Sequence, residues 1–197
     1  MAGAILLSVP ATSRAQASSP SMETADDRAL FDGAGYRTAR YRTPIAVDPR
    51  PAPRLALVAA RDLQPGRDAL FIDVMPVEGG TRDTQTGIWQ LSEDHLTIAG
   101  AQWHPETGRS PVDGTLWAGL ITSIADARRQ SPGMPVVVFC RADCWMSWNA
   151  AKRLADQGVG NVWWLAEGTD GWNDRGGRLV AGVPRAIKNR ELMGKGE

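Results

Sequence analysis

Gly133-Met-Pro-Val-Val-Val-Phe-Cys140-Arg-Ala-Asp-Cys144-Trp-Met-Ser-Trp148-Asn-Ala-Ala151 is the stretch on which the fold turns. Pro135 to Phe139 is an unbroken apolar run rich in β-branched residues, the pattern of a strand buried on both faces of a parallel sheet. A turn at Gly133-Met-Pro135 precedes it. Trp148 to Gln157 follows as a predicted helix, with Ala151, Leu154 and Ala155 inward and Gly158 as its stop. A strand running into a helix puts Cys140 off the carboxyl end of the strand, where parallel sheets carry their ligand sites. Loop N–H groups and a helix dipole both stabilise an anion there. The expectation is a lowered pKa and a nucleophilic thiol at Cys140.

Outward from this stretch the same alternation repeats. Ala69 to Val74 is a short apolar strand with an Asp at position 73. Glu78 to Asp94 is irregular and contains Gly79-Gly80. Leu96 to Ala101 is a further predicted strand. Leu116 to Arg129 puts Leu116, Leu120, Ile121 and Ile124 on one helical face. Asn161 to Leu165 is the next strand. Alternating β and α elements predict an α/β domain, with a parallel central sheet of about five strands and helices on both faces.

The chain has 197 residues, with 22 Lys and Arg against 22 Asp and Glu. Zero net charge provides no long-range attraction for polyanions, so nucleic acid is not an expected partner. Hydrophobic residues make up 43%, enough for a core and too many for wholesale disorder. There are two cysteines, too few for a disulfide framework or a four-cysteine zinc site. The apolar start ends in Ala15-Gln16-Ala17, the small-x-small form of a cleavage site, so residues 1–17 are expected to be an export signal and the mature protein periplasmic. This segment lacks a basic n-region and is too short to span a membrane. Residues 18–54 form an extended lead-in, 55–183 the domain, and 184–197 a polar, solvated tail.

Cys140 and Cys144 are four apart across a tight loop, so their Cα atoms can reach the separation of about 4.4–6.8 Å that a disulfide needs. Three chemistries are open to them. Cys140 can accept sulfane sulfur as a persulfide, with Cys144 as resolving thiol. The pair can cycle between dithiol and disulfide. Two thiolates with Met146 can hold Cu(I). A purely structural disulfide, or a loop that only binds a partner, stands beside these.

Several segments together resemble a rhodanese-like domain between about Leu70 and Trp172. They are Phe71-Ile-Asp73-Val74, Ile98-Ala-Gly100-Ala101, Val137-Val-Phe-Cys140-Arg141 and Leu165-Ala-Glu-Gly168-Thr-Asp-Gly-Trp172. Cys140-Arg-Ala-Asp-Cys144-Trp145 with Glu167-Gly-Thr-Asp-Gly-Trp172 is similar to an exported rhodanese-like family named for a Cys/Cys-Trp motif (CXXCW). Gly35-Tyr36-Arg37 and Tyr41-Arg-Thr-Pro44 fit that family's lead-in. The resemblance implies sulfurtransferase or thiol-redox chemistry in the periplasm, associated with pyrroloquinoline quinone (PQQ)-dependent alcohol catabolism. It implies as partners a small sulfur donor or protein thiol, and a PQQ-dependent dehydrogenase or its cytochrome. No cofactor or metal of the chain's own is expected, since no phosphate-cradling loop is present.

The departures from the rhodanese loop are informative. Asp143 stands where Gly is usual, Trp145 where Arg is usual, and Ser147 comes one residue late. Phosphatases of this fold need an Arg six residues after the Cys. Met146 stands there, which excludes phosphoryl chemistry. Arg141 remains, with Asp143 opposing it, so the loop suits a less charged donor. Backbone N–H groups from Arg141 through Ala142 to Trp145 are expected to stabilise the sulfur anion. Supporting candidates are Asp73, read as structural; His104, read as a surface loop residue that could assist proton transfer; and Glu167 and Asp170, which line the loop. Trp103, Trp145, Trp148 and Trp172 either wall a pocket or pack in the core. Trp145 fits the core least easily and is the candidate for partner binding in a non-catalytic accessory protein.

Overall fold

The structure, a computed structural model, describes residues 28–187. The expected export signal, residues 18–27 of the lead-in and residues 188–197 of the tail lie outside them. Four strands form the central sheet: β1 (Leu70–Asp73), β5 (Gln102–Trp103), β6 (Val136–Phe139) and β7 (Val162–Trp164). Their order is β5-β1-β6-β7 and every pair is parallel. Leu70 pairs with Val136 and Asp73 with Phe139, so β1 and β6 end together. At the outer edge of β7, Leu55 N–H donates to Trp164 O and Trp164 N–H to Pro53 O. The lead-in thus adds a single parallel bridge at Arg54 where a fifth strand would lie.

Side chains alternate across this sheet as a period of two requires. Leu70, Ile72, Val136 and Val138 face α2 (Gly114–Gln130) and α3 (Trp145–Asp156), where Leu120, Ile124, Ala151 and Leu154 complete one core. Phe71, Val137 and Phe139 face α1 (Leu57–Arg61) and α4 (Gly168–Asp174), packing with Ala60 and Trp172. Each buried Val or Phe of β6 contributes about 1.5–3 kcal/mol, and none of its four residues reaches solvent. Asp113 caps α2 by accepting from the N–H groups of Thr115 and Leu116, which starts this helix earlier than the apolar period alone suggests.

Two small sheets flank the centre. β2 (Thr81–Arg82) and β3 (Trp89–Gln90) pair antiparallel. β4 (Leu96–Ile98) pairs antiparallel with β8 (Leu179–Ala181), outside the central sheet. The predicted strand at Leu96–Ala101 therefore exists but belongs elsewhere. The edge position beside β1 falls to the two residues that follow it. Residues 184–187, assigned to a solvated tail on sequence, are docked: Arg185 N–H donates to Trp103 O, and Arg82 Nη1 to Ile187 O. Among the described residues no helix is long and apolar enough to cross a membrane.

Candidate functional site

Cys140 follows β6 directly, and Cys144 is the N-cap residue of α3. They are joined in a disulfide with Cα atoms 6.1 Å apart, inside the range the spacing allowed. Both are nearly buried, at 1% and 3% exposure. The loop between them turns through Asp143, whose φ of +54° is left-handed. The residue that replaces the usual glycine thus keeps a glycine-like backbone, which Asp tolerates better than most side chains.

One side of the loop is locked by α4. Thr169 N–H donates to Cys140 O (2.9 Å), and Asp170 Oδ2 accepts from Ala142 N–H (3.2 Å). Gly168, at φ +53°, sits so close to the Cys140 carbonyl and the Arg141 backbone that no Cβ fits. The other side is closed by the lead-in. Tyr41 O accepts from Trp145 N–H, Thr43 Oγ1 from Trp145 Nε1, and Arg42 bridges Cys144. Ala142 and Trp145 N–H therefore serve Asp170 and Tyr41, correcting the expectation that both stabilise sulfur.

The lead-in is itself anchored by a residue that the sequence did not mark. Asn149 of α3 is fully buried; its side chain accepts from Arg37 N–H and donates to Arg37 O and Gly108 O. Trp148 Nε1 donates to Val47 O. Trp145 is 5% exposed, stacked edge-on to Phe31 with the Arg37 guanidinium over its ring. This corrects its reading as an exposed partner-binding aromatic: the lead-in supplies the core it lacked. The four tryptophans do not form one wall either, since Trp103 donates to Met75 O and Trp172 packs on Phe71.

A cavity of about 380 Å³ opens between lead-in and loop. Arg40, Arg42, Arg109 and Arg141 line it, with Glu78 as the acidic member and Met75, Met146 and Cys144 also on its wall. Arg141 Nη2 lies 3.3 Å from Glu78 Oε1, while its buried Nε has no hydrogen-bond partner among the described residues. Asp143 does not oppose it in this cavity. It faces a separate space of about 160 Å³ with Ala142, Glu167, Arg54 and Trp164. The loss of the loop Arg is thus offset by arginines from distant segments, and the cavity side of the loop is basic.

Met75 is the second residue that sequence reasoning missed. Its Sδ lies 3.2 Å from Cys140 Sγ, a sulfur–sulfur contact, since a disulfide sulfur carries no proton. Asp73 holds it: the buried carboxylate accepts from Met75 N–H, His95 Nε2 lies 2.7 Å away, and Thr97 Oγ1 donates to it. Because β1 ends level with β6, with Asp73 opposite Phe139, the strand-end argument that selects Cys140 also points to the residues just after Asp73, Met75 among them. Soft donors near the loop are therefore Cys140, Cys144, Met75 and Met146. No group of three His, Cys, Asp or Glu able to hold a metal ion occurs among the described residues.

The remaining candidates are placed as follows. Ser147 is buried, donating to Cys144 O and accepting from Trp164 Nε1. Glu167 is the N-cap residue of α4 without a side-chain cap bond, and its buried Oε2 is unpartnered among the described residues. His104 is fully buried rather than on the surface. Burial, with the charge of Arg185 adding to it, pushes its pKa down to about 3, so it stays neutral and is a poor proton shuttle at neutral pH.

No family model and no curated protein matches the chain. Among solved structures it is similar to a thiosulfate sulfurtransferase from Pseudomonas aeruginosa, with 24% identity and a TM-score of 0.47. The similarity covers 71% of this chain, which spans 22% of the length of that one.

Proposed function

We propose that the chain is a rhodanese-like protein whose Cys140–Cys144 pair takes up and reduces sulfane sulfur. The observation that carries this reading is a disulfide at the carboxyl end of the central strand, with Cys144 on the wall of a basic cavity. In the reduced protein the Cys140 thiolate attacks the outer sulfur of a donor persulfide, RSS⁻, giving Cys140–S–S⁻ and RS⁻. After protonation of the persulfide, the Cys144 thiolate attacks Cys140 Sγ and expels HS⁻, closing the disulfide. The sulfane sulfur gains two electrons and the pair loses two. The Cys/Cys-Trp resemblance extends the proposal to a periplasmic setting and to service of a PQQ-dependent alcohol-oxidising system.

The test is mass spectrometry and sulfide trapping on reduced protein given a persulfide donor. Wild type should release one sulfide per chain and return as disulfide. Cys144→Ser should retain one added sulfur atom without releasing sulfide, and Cys140→Ser should gain none. Disulfide formation without sulfide release would leave only a structural or redox pair. A second reading, Cu(I) held by the reduced pair, draws on the Met75 thioether beside Cys140. It predicts that Met75→Leu weakens Cu(I) binding while leaving sulfide release intact.

A further inference from the structure

The disulfide must be reopened before Cys140 can take another sulfur, and the two cysteines are not equivalent towards solvent. Cys144 forms part of the cavity wall, whereas Cys140 does not. A nucleophile arriving through this cavity therefore reaches Cys144 before Cys140.

The cavity also selects by charge. Four arginines line it against Glu78. Arg109 is paired with Glu106 and Arg141 with Glu78, but Arg40 and Arg42 have no ion-pair partner among the described residues. Both are carried beside Cys144 by the backbone contacts of Tyr41 with Trp145 and of Arg42 with Cys144. A concave surface of one sign raises the local concentration of the opposite charge and speeds its arrival. A space of about 380 Å³ suits a small molecule and is too small for a folded domain.

We infer that this cavity admits a low-molecular-weight thiol bearing carboxylate, whose thiolate attacks Cys144 Sγ and expels Cys140 as thiolate. This rests on the reading that the pair cycles. The step balances as RS⁻ + Cys144–S–S–Cys140 → RS–S–Cys144 + Cys140–S⁻. A second thiolate then attacks the sulfur of R, releasing RSSR and the Cys144 thiolate. Two thiols are oxidised and one disulfide is reduced. The first step frees the sulfur that receives the next sulfane atom, so Arg40 and Arg42 act as specificity-determining residues for the reductant.

The experiment follows opening of the oxidised protein by mercaptopropionate, mercaptoethanol and cysteamine, compared per thiolate after correction for basicity. The acidic thiol should exceed the cationic one by about tenfold at low salt, and high salt should compress the ratio. Arg40→Gln with Arg42→Gln should bring the three thiols within about twofold of one another. Arg54→Gln, a charge removed on the opposite side of the loop, should leave the ranking unchanged. Neutral dithiothreitol should open every variant, showing that each still folds with its disulfide. Under limiting thiol, the trapped adduct should map to Cys144. Equal rates for the three thiols, or an adduct on Cys140, would overturn the proposal. No sulfane donor is present, so those results would leave sulfur transfer standing. Conversely, absent sulfide release in the earlier assay would leave the thiol ranking intact.

Discussion

The two sides of the Cys140–Cys144 loop are held by different physics. Towards α4 the contact is mostly backbone against backbone, with Thr169 N–H on Cys140 O and Gly168 so close that no side chain fits. The Asp170 carboxylate adds one bond from Ala142 N–H. Towards the lead-in the contact runs largely through side chains, Asn149, Trp145 and Trp148 each donating to residues 37–47, and a cavity is left open. The tight side fixes Cys140, and the looser side presents Cys144. The relay proposed above needs both, since a carrier sulfur must be positioned and its partner must be reachable by the reagent that resets it.

The contrast breaks most completely at Gly168. Gly168→Ala drives a Cβ into backbone atoms that cannot give way, at a left-handed φ. It should cost about 4 kcal/mol, judged by urea unfolding. A loss below about 1 kcal/mol would mean that this side is no tighter than the other.

Tight packing also penalises charge, and His104 measures that. Its pKa is about 3 in the fold against 6.5 for an ordinary histidine. As pH falls the unfolded chain takes up the proton first, so the stability is present above pH 6.5 and is lost progressively towards about pH 3. Wild type should lose up to about 1.4 kcal/mol per pH unit in that window relative to His104→Gln. Parallel stability profiles for the two proteins would show that burial does not hold His104 neutral. The arginines of the cavity, by contrast, are mostly exposed.

On the looser side, Asn149→Ala should cost about 2–3 kcal/mol, because Arg37 and Gly108 lose buried partners. It should also loosen residues 40–43, so the preference for an acidic thiol should shrink while dithiothreitol still opens the disulfide. A stability loss of that size with an unchanged thiol ranking would separate the clamp from the cavity.

What could be read from the sequence follows the range of the interactions. Val136–Phe139 was legible because burial on both faces leaves an unbroken apolar run, and the strand-end rule then led to Cys140. Leu96–Ile98 was legible as a strand but not as an antiparallel one, since a strand three residues long does not encode its partner's direction. The lead-in was illegible in its function. Arg37 and Asn149 are 112 residues apart, and Thr43 and Trp145 are 102 apart, so no local period links them. For the same reason the sequence announces neither the burial of Trp145, which fits the core least easily on its local pattern, nor the basic character of the cavity. His104 was misplaced because its burial depends on β5 and on the docked residues after β8, neither of which its neighbours in sequence announce.

The smallest test is also the most selective. Trp145→Phe keeps an aromatic ring against Phe31 and Trp148, removes the Nε1 hydrogen bond to Thr43 and trims the indole to a single ring. One hydrogen bond between part-buried groups contributes about 1 kcal/mol and the trimmed ring about as much again, so the fold should survive with a modest shift in the urea midpoint. Thr43 lies on the cavity wall beside Arg42. If the clamp positions the arginines, the preference for mercaptopropionate over cysteamine should fall by about twofold to threefold, while the rate with dithiothreitol stays level. If the same preference survives intact, the backbone contacts of Tyr41 and Arg42 suffice to place the charges. The side-chain clamp would then serve stability alone, and the division between the two sides of the loop would narrow to the presence or absence of the cavity.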